Sequence, residues 1–393
     1  MTIRDLVLCP RDGLFCKDGR GWQTRENGKG RTLAWPHPST VLGALRGAWG
    51  RGRESERGER WARADWAAQT ADVELQRVLA LCRPLGTETW RPEHRRWPAP
   101  LDALYVEPAD GTSAGVHALR PQASRVATLG SDDDDARESL WWPHAPRGKP
   151  RPGPRWWSDA DFVAWLEGRT PPARPPSADP PIRTDVHLEI DPQRCTGLDG
   201  RLFTRQVVET LVGGRRGERP RQWALAVRSA LPSPRIESPL VLGGGHRLCA
   251  VEPAAAALFE APEGLLACFD QARSSRLRLV VVTPADLPGG WLPGGFVREG
   301  HELHGRLGDA PVVLRAAFVG RPIAVAGWDM ATNRPKPLSR MAPAGSVYFF
   351  ERTDGRCFDG ESARSLWLTA LGRRREEGFG LVVPGVWKGD KEC

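Results

Sequence analysis

The residues best placed to do chemistry lie near the end of the chain, in Leu371 to Trp387. A helical pattern from Glu361 to Leu371 runs into Arg373, Arg374 and Arg375. Gly378-Phe379-Gly380 follows, then an apolar run that reads as a final strand. Glycines at 378 and 380 permit positive φ and let another chain approach without a Cβ in the way. Backbone N–H groups turned to one side of such a loop form a concavity suited to anions. The three arginines add fixed positive charge and planar donor forks. The same residues also fit a plainer arrangement, a helix C-terminus whose cations complement the helix dipole before an ordinary turn.

A second candidate lies in Leu33 to Gly50. Ser39 or Thr40 after a proline suits a helix start. Val41, Leu42, Leu45, Ala48 and Trp49 share the face that packs on a sheet. On the other side Ser39, Gly43, Arg46 and Gly50 fall in one row, with Gly47 beside it. A helical glycine costs about 0.8–1 kcal/mol relative to alanine, so three of them need a reason. One reason is close approach of an anionic backbone beside Arg46. The other is tight helix–sheet packing with Arg46 in a structural salt bridge.

Signatures of catalysis are sparse. His37, beside Trp35, is the best candidate for the base of a ribonuclease, but no second His or Lys accompanies it. Its alternative role is a hydrogen bond to the backbone or to a nucleotide. His301 and His304 lack zincin spacing. There is no G-x-x-x-x-G-K-[ST] or G-x-G-x-x-G on a strand–helix corner. Gly289-Gly290 is followed by Trp-Leu rather than by acids. Neither a metal nor a cofactor is expected, and the sequence announces no enzyme.

The elements that must position these residues come from 393 residues, enough for two or three domains at about 150 residues each. Apolar residues make up 40% and charged residues 26%, which suits a globular chain with real cores. No stretch approaches the ~18 apolar residues of a membrane span, and no signal peptide is apparent, so a cytoplasmic location is expected. The net charge of +8 favours a polyanionic partner. Eight scattered cysteines support neither disulfides nor a zinc ribbon.

Strands are read at Ile3–Cys9, Leu101–Val106, Thr184–Ile190, Leu202–Glu209, Trp223–Arg228 and Leu240–Val251, the last broken by Gly243-Gly244-Gly245. Further strands are read at Leu277–Val282, Val312–Val319, Ile323–Ala326 and Ser346–Phe350. Helices are expected at Glu59–Cys82, Ser158–Leu166 and Glu263–Ser274 besides the two already named. Pro121 to about Pro181 is loose, with an acidic run at Asp132–Asp135 read as a solvated loop, and marks an insertion or a domain boundary. The fold class is therefore α+β: two ferredoxin-like βαββαβ domains, residues 1–180 (with an irregular insertion at about 110–180) and 181–393.

Several motifs together resemble one family. Asp12-Gly-Leu-Phe, Lys17-Asp-Gly-Arg20 and Pro36-His-Pro-Ser-Thr-Val-Leu-Gly-Ala-Leu-Arg46 are similar to the N-terminus of the RAMP superfamily of CRISPR proteins. More narrowly they resemble the third subunit of the Cmr (type III-B) effector. Thr196–Phe203, Leu242–Leu248, Pro343–Glu351 and Gly378–Trp387 fit the same subunit. Gly243-Gly244-Gly245, where Gly-Gly-acid is expected, and the Trp-rich insertion depart from the pattern and leave a sister type III subfamily open.

The resemblance implies a non-catalytic subunit that holds the 5′ tag of the CRISPR RNA. It would sit between the large polymerase/cyclase-like subunit and the backbone RAMP subunits, with target RNA as an indirect partner. Alternatives are a RAMP endoribonuclease processing precursor CRISPR RNA, with His37 as base, and a purely structural bridge in the same complex. Single-stranded RNA is held by cations on phosphates, by loop amides, and by aromatics stacked on bases. Gly43, Arg46, Gly243, Gly244, Gly245, Arg247 and the Arg373–Gly380 loop supply the first two. Trp35 and Phe379 are candidates for stacking, worth ~1–3 kcal/mol per base, and equally for core packing. Lys17, Arg20, Lys336 and Arg340 are further cations on turns, each of which also reads as a solvated charge.

Overall fold

The computed structural model describes residues 1–17, 28–107, 115–123, 140–171, 179–214, 219–329 and 332–387. Arg20 and the Asp132–Asp135 run lie outside them. The chain opens with strand β1 (Thr2–Pro10), followed by helix α1 (Pro38–Arg57). Pro38 suits a first helical turn, where its missing N–H is not needed. Gly58 at φ 65° closes the helix, its N–H donating to the Glu54 carbonyl, the left-handed cap that glycine favours.

Strands β2 (Glu74–Pro84), β3 (Arg95–Pro98) and β4 (Trp156–Ser158) come next, then helix α2 (Asp159–Leu166), capped by the Ser158 hydroxyl. A long antiparallel arm, β5 (Ile182–Ile190) and β6 (Gly197–Val208), leads to β7 (Arg221–Leu231), β8 (Leu240–Val241) and β9 (Leu248–Pro253). These strands build a first sheet whose main path is β4-β3-β2-β7-β1-β9-β8, every neighbouring pair antiparallel.

The second sheet follows helix α3 (Glu263–Ala272). Its strands are β10 (Arg276–Val281), β11 (Val297–Glu299), β12 (Glu302–Leu307) and β13 (Ala310–Phe318). A small ribbon, β14 (Ile323–Val325) and β15 (Ser339–Met341), projects between β13 and β16 (Val347–Arg352). Helix α4 (Gly360–Leu366), β17 (Thr369–Ala370) and β18 (Leu381–Val386) complete it. The order is β11-β12-β13-β16-β10-β18-β17, again antiparallel throughout.

The fold is thus α+β, with few helices on mostly antiparallel sheets. One apolar core runs through both sheets, and α2 helps to join them. Trp97 stacks on Phe162 at 4.9 Å and meets Trp367 edge-on at 5.6 Å. Arg95 donates to both Asp159 oxygens (2.8 and 3.2 Å), and Trp97 Nε1 donates to the same carboxylate at 2.7 Å. Asp102, fully buried, accepts from Trp165 Nε1 at 2.8 Å and pairs with Arg278 of β10.

Three expectations need correction. The helix expected over Glu59–Cys82 is a single turn at Trp66–Gln69 followed by strand β2. Leu75, Val78, Leu79 and Cys82 fall at i, i+3, i+4 and i+7, which imitates a helical face. A central strand covered on both faces loses the period-2 alternation that would have betrayed it. The helix expected over Glu361–Leu371 stops at Leu366, because Leu368 turns left-handed (φ 55°) and the chain enters β17. The irregular insertion is ordered in part: Trp156–Ser158 extends the first sheet, and Trp157, Phe162 and Trp165 are core residues.

Strands on both sides of residue 181 share the first sheet, since β2 and β7 are hydrogen-bonded neighbours. The first sheet draws on residues 2–253 and the second on 276–386.

Candidate nucleic-acid interface

Helix α1 and the loop before β18 meet around Val73–Leu75. His37 is the N-cap of α1, its carbonyl accepting from the Thr40 and Val41 N–H groups at 2.9 and 3.4 Å. Its Nε2 is buried without a partner. Burial, and next the nearby Arg374 charge, push the imidazole down to about 4, so it is neutral at pH 7. Ser39 is half-buried in the first turn. Arg46 donates from Nε to the Val73 carbonyl and from Nη2 to that of Ala71, each at 3.3 Å. It therefore ties α1 to the chain entering β2 through carbonyls, in place of the salt bridge expected.

Of the four glycines within α1, the three in or beside the row separate by what a Cβ would meet. At Gly50 it would come 2.5 Å from the Trp66 ring, so internal packing explains that glycine. At Gly47 it would touch only the mobile end of Arg51, at 3.2 Å. At Gly43, which is exposed, it would meet nothing within 4 Å.

The C-terminal loop is a 3-10 turn, Arg375–Glu377, entered through Arg374 at φ 57° and left through Gly378 at φ 81°. Arg374 donates from Nε and Nη2 to the Glu377 carboxylate (2.8 and 2.7 Å) and lies 4.5 Å from the Phe379 ring centroid. Arg375 donates to the Gly372 carbonyl at 2.8 Å and stays exposed, as does Arg373. The glycines here are filled by the chain's own atoms. A Cβ on Gly378 would press on Leu75 of β2 at 3.0 Å, and one on Gly380 would collide with the Leu371 carbonyl. Phe379 is fully buried among Val325 of β14, Met341 of β15 and Ile323, so it cannot stack on a base.

Other expected contacts are also occupied internally. Trp35 is half-buried and packs against Trp156 (5.7 Å) and Trp223 (5.4 Å), beside the small Ala80–Cys82–Trp223 cluster. Gly243 and Gly244 lie on Phe15: a Cβ would sit 2.6 Å from its carbonyl or 2.9 Å from its ring. A Cβ on Gly245 would sit 2.9 Å from the Arg205 guanidinium. Arg247 is paired with Asp12. Lys17 bridges to Thr32 in the backbone. Of the remaining cations, Lys336 and Arg340 are exposed on the ribbon that covers Phe379.

No group of three or more metal-ligating side chains occurs among the described residues, and His304 is instead 3.2 Å from Glu302. Among those residues no helix is long and apolar enough to cross a membrane.

The structure therefore sets the start of α1 against the Arg373–Gly380 loop, with His37 within reach of the Arg374 charge, and places Lys336 and Arg340 on the ribbon that covers Phe379. Over residues 6–387 the sequence matches the family of the CRISPR-associated protein Cas_Cmr3. The chain belongs to that family. No curated protein matches it in sequence. Among solved structures it is similar to a chain of the Type III-B Cmr-beta complex bound to cognate target RNA and AMPPnP, at 9% identity and TM-score 0.44. A second, Type III-B Cmr-beta bound to cognate target RNA, gives 11% and 0.42. Each likeness covers 88% of this chain and 86% of the other.

Two features of this Cas_Cmr3-family chain escaped the sequence reading. The β5–β6 arm carries an exposed apolar face, whose signal was the alternation Ile182, Val186, Leu188, Ile190. Trp328, on the ribbon's outer part, is 52% exposed beside cations, in a stretch where only Lys336 and Arg340 had stood out.

Proposed function

We propose that this chain is the guide-RNA-holding scaffold subunit of a type III-B (Cmr) RNA-targeting complex. It keeps the 5′ tag of the CRISPR RNA beside the large polymerase/cyclase-like subunit and the first backbone subunit, in the cytoplasm, without catalysing a reaction itself. Family membership supports the setting. Both sheets contain four strands in the spatial order second-third-first-fourth (β2-β7-β1-β9 and β13-β16-β10-β18). That order supports reading each as a ferredoxin-like unit. We place the boundary between them in the segment that carries α3.

The observation that carries the RNA reading is Gly43. A helical glycine costs about 1 kcal/mol, and nothing in the chain's own packing requires this one. An open glycine one helical turn from Arg46 suits a sugar-phosphate backbone lying against the helix. His37 caps the helix start and its Nε2 is buried, away from any ribose at the surface, which favours a structural over a basic role.

The test uses the full chain with labelled RNA of the CRISPR repeat, and a scrambled control. Repeat RNA should bind and remain intact with and without His37→Ala. Gly43→Leu, folded by circular dichroism, should weaken binding at least tenfold. Unchanged binding in Gly43→Leu would overturn the placement on α1, and cleavage abolished by His37→Ala would overturn the scaffold reading in favour of a nuclease.

A further inference from the structure

The ribbon built on β14 and β15 has a composition its packing does not use. Residues 321–340 carry Arg321, Arg334, Lys336 and Arg340 against one acid, Asp329. Arg334, Lys336 and Arg340 are exposed, with no carboxylate partner among the described residues. Beyond β14 the ladder continues as Trp328 opposite Pro335 and Asp329 opposite Arg334. Trp328 is half exposed, yet its indole is held: Nε1 donates to the Asn333 side chain at 3.3 Å.

The ribbon is also fixed at both ends of α1. At its base Val325 and Met341 cover Phe379, over which lies Arg374, close enough to His37 to depress its pKa. At its outer end Asn333 accepts from Arg63 at 3.2 Å. Arg63 belongs to the segment whose Trp61 and Trp66 rings pack against Gly50 of the same helix. The ribbon therefore touches both the loop packed near the start of α1 and the segment packed on Gly50 farther along it.

We propose that this ribbon is a second RNA-binding element, with Trp328 as a stacking platform for one unpaired base. Arg340, Lys336 and Arg334 hold the flanking phosphates. The chemistry recognised is single-stranded RNA, because a held, half-exposed indole among unpaired cations offers a π-face and phosphate partners together. An acidic protein surface would use the cations but gain nothing from a pinned ring. A duplex hides its bases and would leave the indole idle. The inference rests on the reading of the chain as an RNA holder and adds the side chains that grip the strand away from α1.

The full chain is titrated with fluorescein-labelled single-stranded RNA of mixed sequence, and with a duplex of equal length, across a salt series. Trp328→Ala should weaken single-strand binding about tenfold with the salt slope unchanged, since a stack releases no counterions, and Trp328→Phe should restore most of it. Lys336→Ala and Arg340→Ala should each lower the slope by ~0.7, the single-strand value per phosphate contact. Single-strand affinity unmoved by Trp328→Ala in a chain that binds RNA would overturn this inference alone. No RNA binding by the unaltered chain would sink the underlying reading as well. A Trp328→Ala chain that keeps RNA but loses a partner subunit would reassign the ribbon to a protein contact.

Discussion

At the scale of single residues, the glycines of α1 divide by a test that side-chain inventories cannot make. Gly43 and Gly50 occupy the same row and have opposite reasons for being glycine. Gly43→Ala should raise stability by about 0.8–1 kcal/mol, the helix-propensity gain, because the added methyl meets no atom. Gly50→Ala should lower it by about 1–3 kcal/mol, because the methyl drives into the Trp66 ring. Urea denaturation of the two variants measures the contrast, and equal effects would mean that the row is not divided as described. His37 supplies a pH test. Its folded pKa is lowered to about 4 from 6.5, so between those values the unfolded chain binds more protons than the folded one. Stability contributed by the neutral imidazole is present above pH 6.5 and is lost as pH falls toward 4. His37→Gln should flatten that part of the stability profile, and an NMR titration of the imidazole should show a midpoint well below 6.

At the scale of elements, most strands and the existence of α1 were legible, because alternation and apolar spacing are local signals. The start of α1 lies earlier than the expected Ser39 or Thr40, with His37 the cap and Pro38 the first helical residue. Apolar spacing misled at β2, where four apolar residues on a doubly covered strand copied helical spacing. The glycine-rich loop was legible as a loop but not as a buried one. Gly378 and Gly380 read equally well as an open anion cradle, and only the packing of Leu75 and the Leu371 carbonyl against them decides otherwise. Likewise Phe379 could not be told from a stacking residue until Val325 and Met341 were seen to cover it. The contact that joins the elements was invisible in sequence, since Asp102 and Arg278 lie far apart in the chain. Asp102 is fully buried, and Arg278 nearly so, donating to both the Asp102 carboxylate and the Trp165 carbonyl. Removing one member leaves an uncompensated buried charge, so Asp102→Ala should cost about 3–5 kcal/mol. The double variant Asp102→Leu with Arg278→Met should cost markedly less than the single one. Equal losses in chemical denaturation would show that the pair does not act as a unit.

At the scale of the whole molecule, what matters is which surfaces the chain leaves unfilled. Two-thirds of Val186 and about half of Leu188 and Leu202 face solvent on the arm. Register places Val186 opposite Thr204 and Leu188 opposite Leu202, so the three residues lie on one face. On the other face His187 stacks on Phe203 at 4.9 Å, and Arg183 pairs with Asp185 and Glu209 at 3.0 and 2.8 Å. A bare apolar face gains nothing for the folded monomer. Because unpartnered apolar patches drive association, the isolated chain should self-associate through it. Replacing Val186, Leu188 and Leu202 together with threonine keeps strand propensity while removing apolar area. The triple variant should unfold within about 0.5 kcal/mol of the parent per site, the range of surface changes away from packed features. Its concentration-dependent light scattering should fall. A large loss of stability would mean that the face is covered within the monomer itself, and undiminished scattering would place self-association on another surface, with the exposed Trp328 ribbon the next to test.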